Sequence, residues 1–216
     1  MSKEGEPDRR GKQRRGEQLR RHILFAAKDV FLETGYERAS MDTVAARAGT
    51  SKRSLYAHFA SKDTLFLAVL DLVRELYLGQ LKTPEAYAGD PAEAVTLFCG
   101  RFLKLMVWEP QVRTCRLCIA EAERLPGASN AYFDAIFASA CQRLAGYLAE
   151  RYAMDHADSA ALAEDLLGRV VLPRLFRALL NVEDVSKDAH SPGDATLAGD
   201  TGLNAIRRLV SAALPG

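Results

Sequence analysis

The stretch Gly49-Thr50-Ser51-Lys52-Arg53-Ser54-Leu55-Tyr56-Ala57-His58-Phe59 limits the fold more than any other part of the chain. It reads as a turn at Gly49 and then a short, exposed helix that holds Leu55 and Phe59 inward. Thr50 or Ser51 can cap that helix, because a hydroxyl at the cap accepts from an unpaired N–H of the first turn. Lys52 and Arg53 then fall in the first turn. Cations are disfavoured there, since the helix dipole already places partial positive charge at that end. Two of them in that place imply an external anion for both to face, and a helix N-terminus is already an anion site through its free N–H groups.

The flanking segments are helical by period. Leu19, Ile23, Ala26, Ala27, Val30 and Phe31 recur at three and four within residues 18–33 and mark one buried face. Thr34-Gly35-Tyr36 ends that helix, with Gly35 suited to a left-handed cap. Ser40 caps a second helix over 41–48, with Met41, Val44, Ala45 and Ala48 inward. Ser61 caps a long fourth helix with Asp63 in its first turn and Leu65, Ala68, Val69, Leu72, Val73 and Leu76 as its apolar stripe. Two short helices about Gly49 match a helix-turn-helix, whose second helix enters the major groove of DNA. A three-helix packing unit with no ligand has the same pattern. Lys52, Arg53 and Lys62 weigh against it, as all three fall at helix starts where structure alone favours acids.

The charge distribution points the same way. The first 62 residues hold 14 Lys and Arg against 8 Asp and Glu, and the remainder holds 15 against 20. A net charge of +1 thus hides a basic N-terminal quarter, the footprint of a polyanion or of a basic solubility tail. Residues 1–16 carry much charge and little apolar surface, and are expected to form a basic flexible tail. Arg9, Arg10, Lys12, Arg14 and Arg15 can lie along DNA as an arm or remain a solvated tail.

Beyond the fourth helix the pattern stays helical. Asp90-Pro91 is a cap followed by proline at the first helical position. Its helix carries Leu97, Phe98, Phe102, Leu105 and Met106 and stops near Trp108-Glu109-Pro110. Further helices are expected over about 112–124, closed by Pro126-Gly127, over 130–151, over 159–180 with Pro173 kinking it, and over 196–214 after a loop at 183–194. At 216 residues and 48% hydrophobic content the chain can bury a sizeable core. No apolar run of membrane-spanning length and no secretory signal appears, so a cytoplasmic location is expected.

The run from Ser40 through Leu65, SMDTVAARAGTSKRSLYAHFASKDTL, resembles the DNA-binding signature of the TetR family of bacterial transcriptional regulators, and the likeness extends without gaps over about 23–70. The segment Cys118-Ile119-Ala120-Glu121-Ala122-Glu123-Arg124-Leu125-Pro126 is similar to one in an AefR-like subgroup. The resemblance implies an all-α homodimer with an N-terminal three-helix helix-turn-helix domain. A long helix joins that domain to a C-terminal helical domain that binds a small molecule and dimerises through its last two long helices. The domain expectation is a tail at 1–16, a DNA-binding domain at 17–64 and an effector-binding and dimerisation domain at 65–216. The activity implied is repression at a near-palindromic operator, relieved by a small apolar or aromatic effector. The chain is not expected to be an enzyme or to carry a cofactor or a metal.

Lys52 and Arg53 are expected to face the duplex and donate to guanine edges or to phosphate, and Ser54 to contact a base edge or a phosphate. Arg53 departs from the small residue common at its position in the family. By the resemblance, Tyr56 and His58 match positions that touch the DNA backbone, while Thr43 and Lys62 would clamp phosphates on either side; Thr50 and Ser51 complete the candidate surface. For the effector, Phe98, Phe102, Met106, Trp108, Tyr132, Phe133, Phe137 and Phe176 can line an apolar cavity, although any one of them also fits plain core.

Cys115 and Cys118 invite a redox or zinc reading, yet no His pair lies near them, and buried bystander thiols are the simpler expectation. The alternatives are a regulator with no small-molecule effector, either redox-responsive through that pair or constitutive, an all-helical enzyme, and a helical interaction module whose helix-turn-helix no longer binds DNA. No P-loop, nucleotide-binding glycine motif or HExxH supports the enzyme, and His22, His58, His156 and His190 are scattered.

Overall fold

The computed structural model describes residues 7–185 and 201–215. The regular structure among its described residues is all helical, with no strand among them. Four helices form the N-terminal part: α1 (Pro7–Arg38), α2 (Met41–Arg47), α3 (Lys52–His58) and α4 (Lys62–Leu78). A short 3-10 turn, Pro84–Ala86, leads to α5 (Pro91–Met106), α6 (Glu109–Ala120), α7 (Pro126–Phe133), α8 (Ser139–Tyr152), α9 (His156–Leu179) and α10 (Thr201–Ala213). The all-α architecture of a helix-turn-helix head and a helical C-terminal domain is the one expected from the sequence.

The first helix is longer than expected. It starts at Pro7, so residues 7–16 of the supposed flexible tail are helical, and residues 1–6 lie outside the described residues. Pro7 suits the first helical position, and the Lys, Arg, Gln and Glu after it are residue types that lose little side-chain freedom in a helix. The helix breaks at Gly35, whose φ of 78° and ψ of 167° lie in a region open essentially to glycine alone.

Pro126 opens a helix instead of closing one. It stands at the start of α7, and the expected helix over 112–124 ends at Ala120. The expected helix over 130–151 is α7 and α8 joined by one π-helical turn, Asp134–Ala138. Helix α9 runs through Pro173 to Leu179. The proposed loop at 183–194 lies mostly outside the described residues, as does the expected start of the last helix at 196.

Two parts of one continuous core meet along α4. On the N-terminal side Ile23, Phe31, Leu55, Leu65 and Phe66 are fully buried; on the C-terminal side Phe98, Phe102, Met106, Leu144, Leu148 and Leu166 are. Cations close several helices at their carbonyl ends, where the dipole favours them. Arg143 Nη1 donates to the carbonyl oxygens of Leu78, at 3.3 Å, and Leu81 beyond the end of α4. Arg116 donates to Ala178 and Leu179 at 2.7 and 3.0 Å at the end of α9. A bidentate pair between Arg207 and Glu93, 2.8 Å for each bond, ties α10 to α5.

Candidate nucleic-acid interface

The turn between α2 and α3 is set by Gly49, whose φ of 57° is left-handed. The backbone closes it through Gly49 N–H to Ala46 O at 3.1 Å and Thr50 N–H to Ala45 O at 3.0 Å. Ser51, not Thr50, is the cap of α3: its Oγ accepts from Ser54 N–H at 3.1 Å. Ser40 caps α2 by accepting from Thr43 N–H at 3.0 Å, and its Oγ lies 2.8 Å from the Thr43 hydroxyl. Leu55 and Phe59 are buried and anchor α3 from beneath, while Arg20 of α1 lies over the Phe59 ring at 5.1 Å.

The outward side of α3 is open. Ser51, Lys52 and Arg53 are exposed, Ser54 and His58 are half-buried, and Tyr56 is 50% exposed. Thr43 is exposed on α2, and Thr50 is half-buried in the turn. Thr43, Ser51, Lys52, Arg53 and Tyr56 are thus exposed on α2, on α3 and at its cap, and the Lys52–Asp42 contact draws the two helices together. Lys52 is not idle there: its Nζ lies 2.6 Å from Asp42 Oδ2 across the turn. Both partners are exposed, so the pair adds little stability and a phosphate or guanine edge can compete for the ammonium. Glu33 and Arg47 brace α1 against α2 with bonds of 3.0 and 2.7 Å, and the Arg47 guanidinium holds the Glu33 carboxyl below its usual range.

Lys62 has intramolecular partners that the sequence reading did not include. Its Nζ donates to the carbonyl oxygens of Tyr36, Ala39 and Glu37 at 2.9, 3.1 and 3.3 Å, and lies 4.2 Å from the Tyr36 ring centroid. The ammonium thus serves the end of α1. A cation at the start of α4 has a structural reason after all, because the carbonyl end of another helix faces it. Lys62→Ala is expected to lower stability by about 1–2 kcal/mol, the scale of lost charge-assisted bonds, and to leave the salt slope of DNA binding unchanged. A melting point within error of wild type would remove this role.

The effector candidates divide. Phe98, Phe102 and Met106 of α5 and Tyr132 of α7 are buried, with Trp108 and Phe137 half-buried beside them. Phe137 meets Phe102 edge-on at 5.6 Å and stacks on Phe133 at 5.8 Å. Trp108 packs edge-on against Tyr77 of α4 at 4.8 Å, so the aromatic set touches the connecting helix. Phe133 and Phe176 do not line this interior: they are 57% and 64% exposed. Helical period places a residue on a face, but which face meets another helix is settled only by packing.

Sequence reasoning missed Gln111. It is fully buried, donates from Nε2 to the Tyr132 hydroxyl at 2.8 Å, and leaves Oε1 without a partner. Its neighbour Cys115 is buried, and burial raises its thiol; Cys118 is pushed up to about 12 by burial and then by Cys115. The thiolate is the reactive form, so neither sulfur is primed for oxidation. No cluster of three or more His, Cys, Asp or Glu suited to a metal occurs among the described residues, and no helix among them is long and apolar enough to cross a membrane.

Two domain profiles match this chain. That of "Bacterial regulatory proteins, tetR family" matches residues 23–69, and that of "AefR-like transcriptional repressor, C-terminal domain" matches residues 93–191. Among curated proteins, the "HTH-type transcriptional activator FasR" of Mycolicibacterium smegmatis is 49% identical over 63 residues, 29% of this chain and 29% of its own length. The "A-factor receptor protein" of Streptomyces griseus is 45% identical over 60 residues, 28% of this chain and 22% of its own length. These matches therefore span well under half of the relatives. Among solved structures, a TetR-family regulator from Mesorhizobium loti superposes with a TM-score of 0.70 at 23% identity, covering 93% of this chain and 96% of its own. The "Flavonoid-responsive Regulator FrrA" superposes with a TM-score of 0.68 at 27% identity, covering 89% and 97%.

Proposed function

The chain belongs to the TetR family of bacterial transcriptional regulators, with an AefR-like C-terminal domain, and we propose that it is a repressor that binds a near-palindromic operator as a homodimer and is released by a small aromatic effector. The observation that carries the reading is the outward face of α3. Its buried side is only Leu55 with Phe59 at its end, while Lys52, Arg53 and Tyr56 stand free of the core beside a hydroxyl-capped helix start. Phosphate contacts fix register and base contacts specify, so Lys52, Arg53 and Ser54 are the specificity residues and Thr43, Tyr56 and His58 the backbone contacts. The repressor sense rests on the name of the C-terminal profile.

The dimer reading is supported by α9. Leu172, Phe176 and Leu180 recur at every fourth position and are 55%, 64% and 59% exposed, an apolar row that a second copy would cover. The effector reading is supported by the aromatic interior with one unmatched acceptor, Gln111 Oε1. An aromatic molecule bearing a hydroxyl would satisfy both features, and a flavonoid, the class named for the FrrA regulator, is of that chemistry. A second reading, redox control through Cys115 and Cys118, is disfavoured by their burial and raised thiols.

The reading is tested by selection from a palindromic library, with titration of the selected site afterwards. A log–log slope of affinity against salt on the order of −5 to −9 is expected, since each subunit neutralises several phosphates. Arg53→Ala is expected to relax preference at one position of each half-site at a cost of about 1–3 kcal/mol. Selection that returns no sequence, or a slope near zero, would remove the reading. Unchanged base preference in Arg53→Ala would remove that residue's role alone.

A further inference from the structure

Three parts of the chain meet at Tyr36. Its buried ring lies at the end of α1, in edge contact with Phe66 of α4 at 5.2 Å. Its hydroxyl donates to Asp63 Oδ1 in the first turn of α4. Arg124, from the turn between α6 and α7, places its guanidinium 4.0 Å from the centroid of the same ring. That guanidinium also lies 3.7 Å from Asp63 Oδ1 and donates from Nε to Glu121 Oε2 at 2.8 Å. Glu121 is buried, so it fixes the guanidinium from the C-terminal side.

The placement of these residues matters more than the strength of any one bond. Asp63 stands four residues after Phe59, the end of the reading helix, and its helix start is rigidly capped by the reciprocal Ser61 and Thr64 bonds. Asp63 is thus fixed to the head, where Leu65 and Phe66 of α4 share one core with Leu55 and Phe59 at α3. On the other side, the α6–α7 turn holding Arg124 is closed by Ser129 Oγ donating to Cys118 O at 3.0 Å. That turn sits between Gln111 and Cys115 of α6 and Tyr132 of α7, the polar residues of the aromatic interior. The two parts also meet where α1 packs on α6 and α4 packs on α7, and through Arg143 at the end of α4. Arg124 adds a directional link, because a guanidinium held on a ring and between two carboxylates tolerates little rotation.

We infer that Arg124 is a positioning residue for DNA recognition: through the Tyr36 ring and Asp63 it sets the angle of the reading head on the C-terminal domain, and hence the half-site spacing that the dimer accepts. The inference rests on the dimeric DNA-binding reading above. It assigns to one side chain the contact by which a change in the α6–α7 region reaches α3.

The test is selection from a library of palindromes whose spacer length varies, using the full chain as wild type, Arg124→Met and Arg124→Lys. Arg124→Met keeps an unbranched apolar stem and removes the guanidinium with its charge. It is expected to return the same half-site bases with a shifted or broadened spacer distribution, and to bind the wild-type spacer on the order of tenfold more weakly. Arg124→Lys, which keeps a cation near the ring, is expected to move back toward the wild-type distribution, and it carries the test if the Met variant melts early. Spacer preference is the deciding readout, since a general loss of stability lowers affinity for every spacer alike. An unchanged distribution in both variants, or altered half-site bases, overturns the inference while leaving the DNA-binding reading intact. A wild type that selects no site overturns both.

Discussion

Replacing Leu172 and Phe176 together by Asp is expected to convert the protein to a monomer and to weaken operator binding by about a hundredfold to ten-thousandfold, the usual advantage of two linked sites over one. The two side chains stand on the outer face of α9, one turn apart, each more than half exposed in the single chain. Covering a Leu or Phe fully is worth about 1.5–3 kcal/mol, and a twofold interface counts each residue twice. Carboxylates at the same positions would have to be desolvated, and the twofold axis would set like charges against each other. Because the row is outside the monomer core, the helical content and melting of the variant chain should stay close to those of an intact fold. Light scattering at several concentrations reads the oligomer, and titration on the selected operator reads the affinity. A variant that remains a dimer would move the interface to another surface, and a monomer with undiminished affinity would remove the need for twofold binding.

Phe66→Ala is expected to cost about 3–5 kcal/mol, the range for emptying a buried aromatic site. Phe66 is fully buried, with its ring edge-on to Phe31 and Tyr36 at 5.2 Å from each centroid. The cavity would open where α1 and α4 cross, beneath the Tyr36 ring that carries Lys62 and Arg124. Since a domain is stable by only about 5–15 kcal/mol in all, the variant should unfold at much lower urea and lose operator binding even before it unfolds. Phe66→Leu, which keeps most of the volume, should recover most of the stability. A cost below about 1.5 kcal/mol for the Ala variant, the range of volume-conserving swaps, would mean that the neighbours close the gap.

The reading head is largely legible in the chain because its determinants are local. Ser40, Ser51 and Ser61 cap the helices that start after them, Gly49 takes the left-handed conformation its turn requires, and Leu55 and Phe59 face inward as their spacing implies. Capping and left-handed turns involve residues within four positions of one another, so sequence order carries them almost whole. Expectation and structure part where a residue's partner is distant. Lys62 reads as a phosphate contact because the end of α1, some 25 positions earlier, is invisible from the start of α4. Pro126 reads as a stop because nothing at the proline itself tells the end of one helix from the first residue of the next; the helical run 126–133 decides it.

The sequence by itself determined that the chain is helical, that a short basic helix is displayed at a glycine turn, and that the remainder builds a second helical domain. These depend on period, caps and charge, which act over a few residues. Only the tertiary structure decided which cations face outward and which serve another helix. It decided too which aromatics enter the core, with Phe102 inside and Phe133 and Phe176 at the surface, and that Arg124 reaches Tyr36 and Asp63. Each of these depends on which helix faces meet across large sequence separations, and the packing of the whole chain selects that arrangement.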